Sequence, residues 1–261
     1  LWQEKAGIIK SGVPVVFDAN DPEASEVIRT HAKEMHSPCT ALEKKMFRIL
    51  EFKNNFIDFS LSTAYDKETR WTIPGAAEYQ AENAALAILA MRVLQQQYPK
   101  ELSGEKTEEQ LHAGMKAAFW QGRMQEIAPE IYFDGAHNTS GIGMFTEAVN
   151  RLTANDKYCP LLLFSMVKEK DYSTSIDMLT ADISWEEMAV TTIPNERGIS
   201  FEKLEKLFEE DTERPVTGYA DYREAFMAMK EKKKPGQKLF CTGSLYFIGA
   251  LMEVWKENCD D

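Results

Sequence analysis

The chain has 261 residues, of which 44% are hydrophobic and 28% are charged, a composition that excludes an intrinsically disordered polypeptide. Its formal net charge of −12 argues against nucleic acid as a main partner, because phosphate binding needs a concentrated basic surface. The length allows one large domain or two ordinary ones.

Cysteine usage and hydropathy indicate the compartment. The cysteines form no CxxC pair, which is typical of a reducing cytoplasm and not of a disulfide scaffold or a zinc site. They are Cys39, Cys159, Cys241 and Cys259. We find no signal peptide and no apolar run long enough to cross a bilayer, so we expect a cytoplasmic protein with no membrane partner. The chain opens on Leu1 in what reads as the middle of a helix, which predicts a piece of a longer protein.

The first half of the chain predicts helices around a small antiparallel β unit. Apolar residues alternate between residues 45 and 71, which indicates a hairpin or a small meander that turns at Asn54 and Asn55. A helix started by Asn20 or Asp21 has a proline in its first turn, and a later one is rich in alanine. Helices are predicted over residues 2–9, 21–35, 76–97 and 108–119, with a short strand at 14–17 and a linker at 98–106.

The second half predicts regular alternation of strands and helices. Residues 131–133 read as a strand, and after a polar turn Ile142, Phe145 and Val149 fall on one helical face. Further strands are predicted at 161–164, 188–192 and 238–241, with helices at 173–179, 200–210, 221–232 and 245–255. This order implies a parallel sheet with helices on both faces, beginning between residues 119 and 130. The lysine cluster at 230–234 indicates a solvated helix end.

The turn after residue 133 carries the residues best suited to chemistry. In open α/β sheets, ligands bind at the carboxyl ends of the strands, where Asp134, His137 and Asn138 would project into a crevice. An imidazole beside an acceptor and an amide, at a helix N-terminus, can bind an anion or move a proton. The same residues also suit an Asp-Gly turn and a helix cap, and the residue types alone favour this structural role.

Six stretches stand in order along the chain: EKAGIIKSGVPVV at 4–16, QAENAALAI at 80–88, WQGRMQ at 120–125, DGAHN at 134–138, KEKDY at 168–172 and TGSLYFIG at 242–249. Taken together and in this order, they resemble the folylpolyglutamate synthases, which are part of the wider group of ATP-dependent ligases that includes the cell-wall Mur enzymes. The resemblance implies an α/β fold in two parts. Residues 1–122 would be the remnant of the α/β ATP-binding central domain, and residues 123–261 the Rossmann-like C-terminal domain of the Mur ligase type.

The resemblance also shows which parts of the family pattern this chain lacks. The family has a phosphate loop and magnesium ligands in its N-terminal part, and no G-x-x-x-x-G-K-[ST] occurs in this sequence. The chain therefore resembles the C-terminal portion of the family, with the missing N-terminal half of the same protein as its expected partner. We expect the chain alone to be unable to turn over ATP.

The family's reaction, implied by the resemblance, uses ATP to phosphorylate the γ-carboxylate of a folate. The amine of an incoming L-glutamate then attacks the acyl phosphate. ATP and Mg²⁺ are the implied cofactors, and folate and L-glutamate are the implied substrates. Since phosphorylation supplies the leaving group, the protein contributes mainly positioning and charge neutralisation.

The resemblance also assigns roles to individual residues. His137 and Asp134 are the implied catalytic pair, with His137 near the γ-phosphate and the incoming amine. The nucleotide is assigned to Asn83, Arg123 and Asp134, and the amino acid to His137, Ser244 and Tyr246. Lys5 matches a lysine that binds magnesium as a carbamate, which we expect only in the intact protein. The structural alternatives are a surface arginine for Arg123, a helix cap for Ser244, a packed aromatic for Tyr246 and an exposed lysine for Lys5.

Other functions remain open at this point. Within the superfamily, the chain could derive from a dihydrofolate synthase, a bifunctional enzyme or another Mur-type amino-acid ligase. In a different class, it could be a nucleotide- or amino-acid-binding module without catalysis.

Overall fold

The computed structural model describes residues 2–53, 55–193 and 195–258. The chain divides into two compact units, unit 1 at Leu1–Phe119 and unit 2 at Trp120–Asp261, and each is described here by itself. This division falls just before the predicted boundary between residues 122 and 123. The identification of the units with an ATP-binding domain and a ligase C-terminal domain remains a prediction.

Unit 1 combines a parallel strand pair with an antiparallel meander. Its elements are α1 (Trp2–Ala6), β1 (Val15–Asp18), α2 (Pro22–Glu34), β2 (Cys39–Leu42), a 3₁₀ turn (Lys44–Met46), β3 (Phe47–Lys53), β4 (Phe56–Leu61), β5 (Thr69–Pro74), α3 (Glu78–Gln97), α4 (Pro99–Leu102) and α5 (Glu105–Ala117). β1 and β2 pair in parallel across α2, and β3, β4 and β5 form the meander in that order. The prediction of a meander is confirmed; β2 and α4 were not predicted, and Asn54 lies outside the described residues.

The core of unit 1 lies between the meander and α3. Ala81, Ala84 and Ala85 of α3 are fully buried and pack with Phe59 and Trp71 of the sheet. Alanine has no long side chain, so the helix can approach the aromatic face closely. This contact explains why a segment rich in alanine is buried over much of its surface.

A buried arginine attaches α5 to the rest of unit 1. The Arg92 guanidinium donates to Asp66 at 2.8 Å, Glu108 at 2.5 Å and the Gln95 side chain at 2.9 Å. Arg92 hydrogen bonds hold the pKa of the Glu108 carboxyl below its ordinary value. Next to this cluster, His112 stacks on Trp71 with ring centroids 3.9 Å apart. These long-range contacts fix a helix that has no fully buried residue of its own.

Unit 2 is built on a six-stranded sheet with the order β10-β9-β8-β11-β7-β6. Its strands are β6 (Gln125–Ala128), β7 (Ile131–Phe133), β8 (Leu161–Phe164), β9 (Glu187–Thr191), β10 (Val216–Tyr219) and β11 (Leu239–Thr242). The helices are α6 (Thr139–Thr153), α7 (Tyr172–Asp182), α8 (Phe201–Asp211), α9 (Tyr222–Lys232) and α10 (Leu245–Glu257). All pairings are parallel except that of β6 with β7.

Helices cover both faces of this sheet, as the sequence predicts. On one face Phe133 meets Phe226 of α9 edge to face, with ring centroids 5.6 Å apart. On the other face Phe240 meets Phe145 of α6, at 6.0 Å. The two central strands, β8 and β11, are therefore buried on both sides, which explains their continuous apolar runs. β11 enters between β7 and β8, so the strand order reverses there, and the carboxyl ends of these three strands frame the crevice where such folds bind ligands.

The amino edge of the sheet, where the parallel strands begin, is closed by ion pairs. Each pair joins a lysine near the start of β11 to an acid near the start of another strand. The pairs are Lys232 with Glu187, Lys233 with Glu130, Lys234 with Glu186, and Lys238 with Asp156. The lysine cluster lies at the exposed end of α9, as the sequence indicates, and three of its lysines in addition pair with acids distant in the chain.

Candidate functional site at the carboxyl edge of the sheet

Three turns at the carboxyl edge of the unit 2 sheet are joined by backbone hydrogen bonds. The turn after β7 receives a bond from the turn after β11, because Gly243 N–H donates to the Ala136 carbonyl at 3.1 Å. The turn after β8 is joined in the same way, with Ser165 N–H donating to the Thr242 carbonyl at 3.2 Å. These bonds bring residues that are far apart in the sequence together at the carboxyl edge of the sheet, and the turns after β7, β8, β9 and β11 there are called the rim below.

Asp134 is the anchor of this rim. Its side chain is buried, and its two carboxylate oxygens accept the N–H groups of Met124 at 2.7 Å and Ala136 at 2.8 Å. The expectation that Asp134 projects into an open crevice is therefore wrong, since its carboxylate points inward onto the backbone. A buried carboxylate needs such donors to offset its lost hydration. Asp134 consequently fixes the segment before β6 against the turn after β7.

Arg123 lies in the segment that Asp134 fixes. It is half-buried and follows Gly122, whose φ is +63°, and precedes Met124, whose φ is +44°. The Gly122 carbonyl accepts the Gly135 N–H at 2.7 Å, which brings the two turns together a second time. The structure thus places the Arg123 backbone beside the 134–136 turn. Its phosphate-binding role remains a prediction.

His137 is held in one ring orientation. Its Nδ1 lies 2.8 Å from the Gly135 carbonyl oxygen, which can only accept, so Nδ1 carries the proton. In the neutral ring Nε2 then keeps its lone pair and is the atom that can take up a proton. The next residue, Asn138, accepts the Gly141 N–H with its side-chain oxygen at 2.8 Å and caps α6. Asn138 is therefore a structural residue, and the catalytic role of His137 remains a prediction.

Two glycines allow the turns to approach this closely. A Cβ at Gly135 would lie 2.2 Å from Cδ2 of Leu245, in the first turn of α10. Gly243 has a φ of +113°, and a Cβ there would lie 2.3 Å from the Ser165 carbonyl oxygen. Since the second clash is with backbone, no side-chain movement relieves it.

The two residues predicted on the amino-acid side have different surroundings. Ser244 is buried, and its hydroxyl accepts the Tyr246 N–H at 3.2 Å, so it caps α10. Tyr246 is 57% exposed and is not a packed aromatic. Its hydroxyl accepts a hydrogen bond from the Arg197 guanidinium at 3.3 Å. Tyr246 therefore presents its side chain at the rim, whereas Ser244 contributes to the local fold.

Arg197 and Glu169 are rim residues that the sequence analysis missed. The Arg197 Nε donates to the Glu169 carboxylate at 2.9 Å, and both side chains are about half exposed. Glu169 lies inside the KEKDY stretch, which marked the region without assigning it a role. Arg197 follows β9, and its position after the carboxyl end of a strand was the signal that could have found it.

The remaining predicted residues lie in unit 1. Asn83 is exposed on α3, and Lys5 is exposed on α1, with its Nζ 4.6 Å from the Trp2 ring centroid. Within the described residues, no group of three or more histidine, cysteine, aspartate or glutamate side chains could hold a metal ion. The carbamate on Lys5 stays a prediction for the intact protein. No helix in the described part of the chain is long and apolar enough to span a membrane.

Comparison with known proteins supports the motif resemblance over nearly the whole chain. No protein-family model matches. The chain is 29% identical to the dihydrofolate synthase/folylpolyglutamate synthase of Bacillus subtilis over 264 residues, which is 97% of this chain and 57% of that protein. It is 26% identical to the folylpolyglutamate synthase of Lacticaseibacillus casei over 260 residues, again 97% of this chain and 56% of the relative. The chain thus spans a little more than half the length of these curated relatives.

Solved structures show the same fold. Folylpolyglutamate synthase of Mycobacterium tuberculosis, complexed with ADP and AMPPCP, superposes with a TM-score of 0.78 at 20% identity, over 97% of this chain and 58% of that one. E. coli FolC, in complex with DHPP and ADP, gives 0.74 at 21% identity, over 98% and 56%. The α/β fold with its parallel-rich sheet is confirmed. In sequence and fold, the chain is similar to folylpolyglutamate and dihydrofolate synthases, and it spans a little more than half the length of the proteins it matches.

Proposed function

We propose that the chain is the C-terminal portion of an ATP-dependent ligase that adds L-glutamate to the γ-carboxyl of a folate through an acyl phosphate. The names of the relatives support this, and one neighbouring structure, 24% identical and with a TM-score of 0.74, is a complex with AMPPCP and folate. The observation that carries the proposal is the orientation of His137, whose Nδ1 is held by the Gly135 carbonyl at the carboxyl edge of a parallel sheet.

His137 is the proposed general base. An amino acid is mostly an ammonium ion at neutral pH, and its nitrogen must lose protons to attack an acyl phosphate and form the amide. The Nε2 lone pair of His137 can take one of these protons, and the resulting imidazolium would stabilise the negative charge that develops on the phosphate. The Gly135 carbonyl favours this role, because its contact with Nδ1 holds the ring in place with Nε2 as the free ring nitrogen.

The nucleotide is assigned to three of the predicted residues. Arg123 would bind phosphate oxygens with its planar guanidinium, and Asn83 would offer a donor and an acceptor to the purine edge. Asp134 would act as a positioning residue for Arg123 and not as a direct ligand, since both its oxygens already accept backbone amides. This assignment modifies the catalytic role that the resemblance implies for Asp134.

We also propose that the chain alone has no ligase activity, because no phosphate-loop motif occurs in its sequence. The test is a chimera that joins this chain to the unmatched portion of the B. subtilis relative. We expect ATP- and folate-dependent incorporation of labelled L-glutamate by the chimera and none by the chain alone. The matched control is the unmatched portion of the relative without this chain. Robust glutamate addition by the chain alone would contradict the expectation.

The same assay separates the other candidate functions. With dihydropteroate as the acceptor, turnover would indicate a dihydrofolate synthase or a bifunctional enzyme, and turnover with cell-wall precursors would indicate a Mur-type ligase. A chimera that binds nucleotide but joins no amino acid to any acceptor would support the binding-module alternative. A cytoplasmic location likewise remains a proposal.

A further inference from the structure

We propose that Arg197 binds the side-chain carboxylate of the incoming amino acid, in exchange for Glu169, and so selects a dicarboxylic amino acid. The inference rests on the proposed function for the identity of the amino acid. It concerns residues of unit 2 only, and it assigns a specificity role to a cluster that comprises Glu169, Arg197 and Tyr246.

The two loops that carry this cluster pair with each other beyond the carboxyl ends of β8 and β9. Lys168 N–H donates to the Arg197 carbonyl at 2.9 Å, and Ile199 N–H donates to the Met166 carbonyl at 3.0 Å. A β-bridge joins Val167 and Gly198 between these bonds. The backbone of Arg197 is therefore fixed, while its side chain remains half exposed.

The position of Arg197 along the rim suits the far end of an amino acid whose amine lies at His137. Three strand spacings separate β9 from β7, which is on the order of 14 Å at about 4.8 Å each. Tyr246 follows β11, between these two strands, and its hydroxyl contacts Arg197. The Arg197 side chain extends toward Tyr246, which follows β11 and lies nearer to β7. An extended amino acid can therefore span from the guanidinium to His137. The group of such a ligand most distant from the amine is its side-chain carboxylate.

The contacts of Arg197 show that its site accepts a carboxylate. Glu169 occupies the Nε side of the guanidinium at 2.9 Å, and Tyr246 contacts it through the hydroxyl and through its ring face, whose centroid is 5.5 Å from Cζ. A guanidinium presents its donors in a planar fork that matches a carboxylate, so the ligand carboxylate can take the place of Glu169 on the Nε side. Glu169 is a carboxylate of the same kind as the proposed ligand and shows where such a group binds.

Exchange of Glu169 for the ligand is physically easy. Both partners of the ion pair are about half exposed, and exposed ion pairs contribute little to stability. An incoming carboxylate that also binds elsewhere on the rim therefore competes well.

The first test measures binding to the chain itself by ¹⁵N NMR titration, with L-glutamate and L-glutamine as probes. We expect L-glutamate to shift the Arg197 Nε–H and Tyr246 signals and to bind more tightly than L-glutamine, which lacks the side-chain carboxylate. Arg197→Ala should lose this preference. Arg214→Ala is the matched control, because Arg214 is an equally charged, exposed residue just before β10, at the opposite edge of the sheet.

The second test uses the chimera and separates KM from kcat. Arg197→Ala should raise KM for L-glutamate about 10- to 100-fold, the usual effect of losing a charged hydrogen-bonded contact, with kcat nearly unchanged. Arg197→Lys should recover part of the loss, and Glu169→Gln should leave KM unchanged or lower it, because the internal competitor is gone. A merely structural role for Arg197 would predict similar losses in Arg197→Ala and Glu169→Gln.

The outcomes distinguish this inference from the proposed function. An active chimera whose KM for L-glutamate does not depend on Arg197 overturns the inference and leaves the function standing. An inactive chimera, with Arg197-dependent preference for L-glutamate in the chain, supports the binding role and counts against the function. Equal effects of Arg197→Ala and Arg214→Ala, or no Arg197-dependent response in either experiment, overturn the inference.

Discussion

The two edges of the unit 2 sheet use polar residues in opposite ways. At the amino edge, lysines near the start of β11 are paired with acids near the starts of neighbouring strands, and the Gln237 amide donates to the Cys159 carbonyl and to Glu186. At the carboxyl edge, the turns are joined mainly through backbone and through the buried Asp134, while His137 is half-buried and the side chains of Arg197 and Tyr246 are half exposed. The side chains of one edge are used to close loops, and those of the other remain able to meet a ligand.

The difference teaches how chemistry and stability are divided within one sheet. At the amino edge, side-chain ion pairs join the loops, so the backbone conformation there can change while the charged residues must be kept. At the carboxyl edge, backbone hydrogen bonds join the turns, so most side chains there are available to bind a ligand. The close approach of the turns requires Gly243 and Asp134. The comparison therefore predicts larger stability losses from single changes at the carboxyl edge than at the amino edge.

The largest expected loss comes from Gly243→Ala. The new Cβ would meet the Ser165 carbonyl oxygen at 2.3 Å, and the φ of +113° is unfavourable for alanine, so we expect a loss of about 3 to 5 kcal/mol in the free energy of unfolding. Urea unfolding measures it. Gly249→Ala in α10 is the matched control, because a Cβ there meets nothing within 4 Å and should stabilise the helix by about 0.5 to 1 kcal/mol. Equal changes in unfolding free energy for Gly243→Ala and Gly249→Ala would contradict the proposed role of the close backbone approach at Gly243.

Asp134→Ala should be next in size. It leaves the buried N–H groups of Met124 and Ala136 without their acceptor, and each unmet group costs about 1 to 3 kcal/mol, so we expect a loss of about 2 to 6 kcal/mol in the free energy of unfolding. Asp171→Ala is the control, since that carboxylate accepts the Thr174 N–H at the exposed start of α7 and its loss should cost about 1 kcal/mol. A loss at Asp134 no larger than that at Asp171 would show that Asp134 is not the anchor.

His137→Gln should affect rate and not stability. In the chimera we expect kcat to fall about 10²- to 10³-fold, as for loss of a general base, while the melting temperature of the chain stays nearly unchanged. Long-range ¹⁵N–¹H NMR spectra of the chain above neutral pH should show the proton on Nδ1, as the bond to Gly135 requires. A neutral ring with its proton on Nε2 would contradict the proposed base.

Lys233→Met at the amino edge should have the smallest effect, about 1 kcal/mol or less at neutral pH. Its hydrogen bond lowers the pKa of the Glu130 carboxyl, so this stabilisation is complete above the ordinary glutamate pKa of about 4.3 and is lost as pH falls through the lowered value. The difference in unfolding free energy between wild type and variant should therefore shrink on acidification. Lys206→Met, in an exposed i,i+4 pair on α8, should show almost no difference at any pH.

Much of the fold could be predicted from local pattern. The apolar runs of β7, β8 and β11 and the helical period of α6 gave the parallel sheet, and Asp21 capped α2 as its position before Pro22 predicts. β6 and β10 were missed because their apolar signal is weak. β10 contains Gly218, and β6 is an antiparallel edge strand in which polar residues are tolerated. Pairing with neighbours, not local propensity, makes these segments strands.

The site could be predicted only in part. The DGAHN stretch located the turn and His137, but the same letters gave no sign that the Asp134 carboxylate turns inward to the amide of Met124, ten residues earlier. Arg197 and Glu169 are 28 positions apart, and Lys233 and Glu130 are 103 apart. Sequence spacing carries no information about such partners, because the sheet order brings them together.

The inward carboxylate of Asp134 has a consequence for genetics. A missense change at this position should reduce the cellular abundance of the protein, because a chain with a weakened rim is cleared by proteases. A growth defect in such a mutant would therefore result mainly from a low amount of the protein, and less from the loss of a catalytic step. Immunoblotting beside the growth assay would show this directly, and His137 substitutions should give the opposite pattern, with normal protein amounts and no growth.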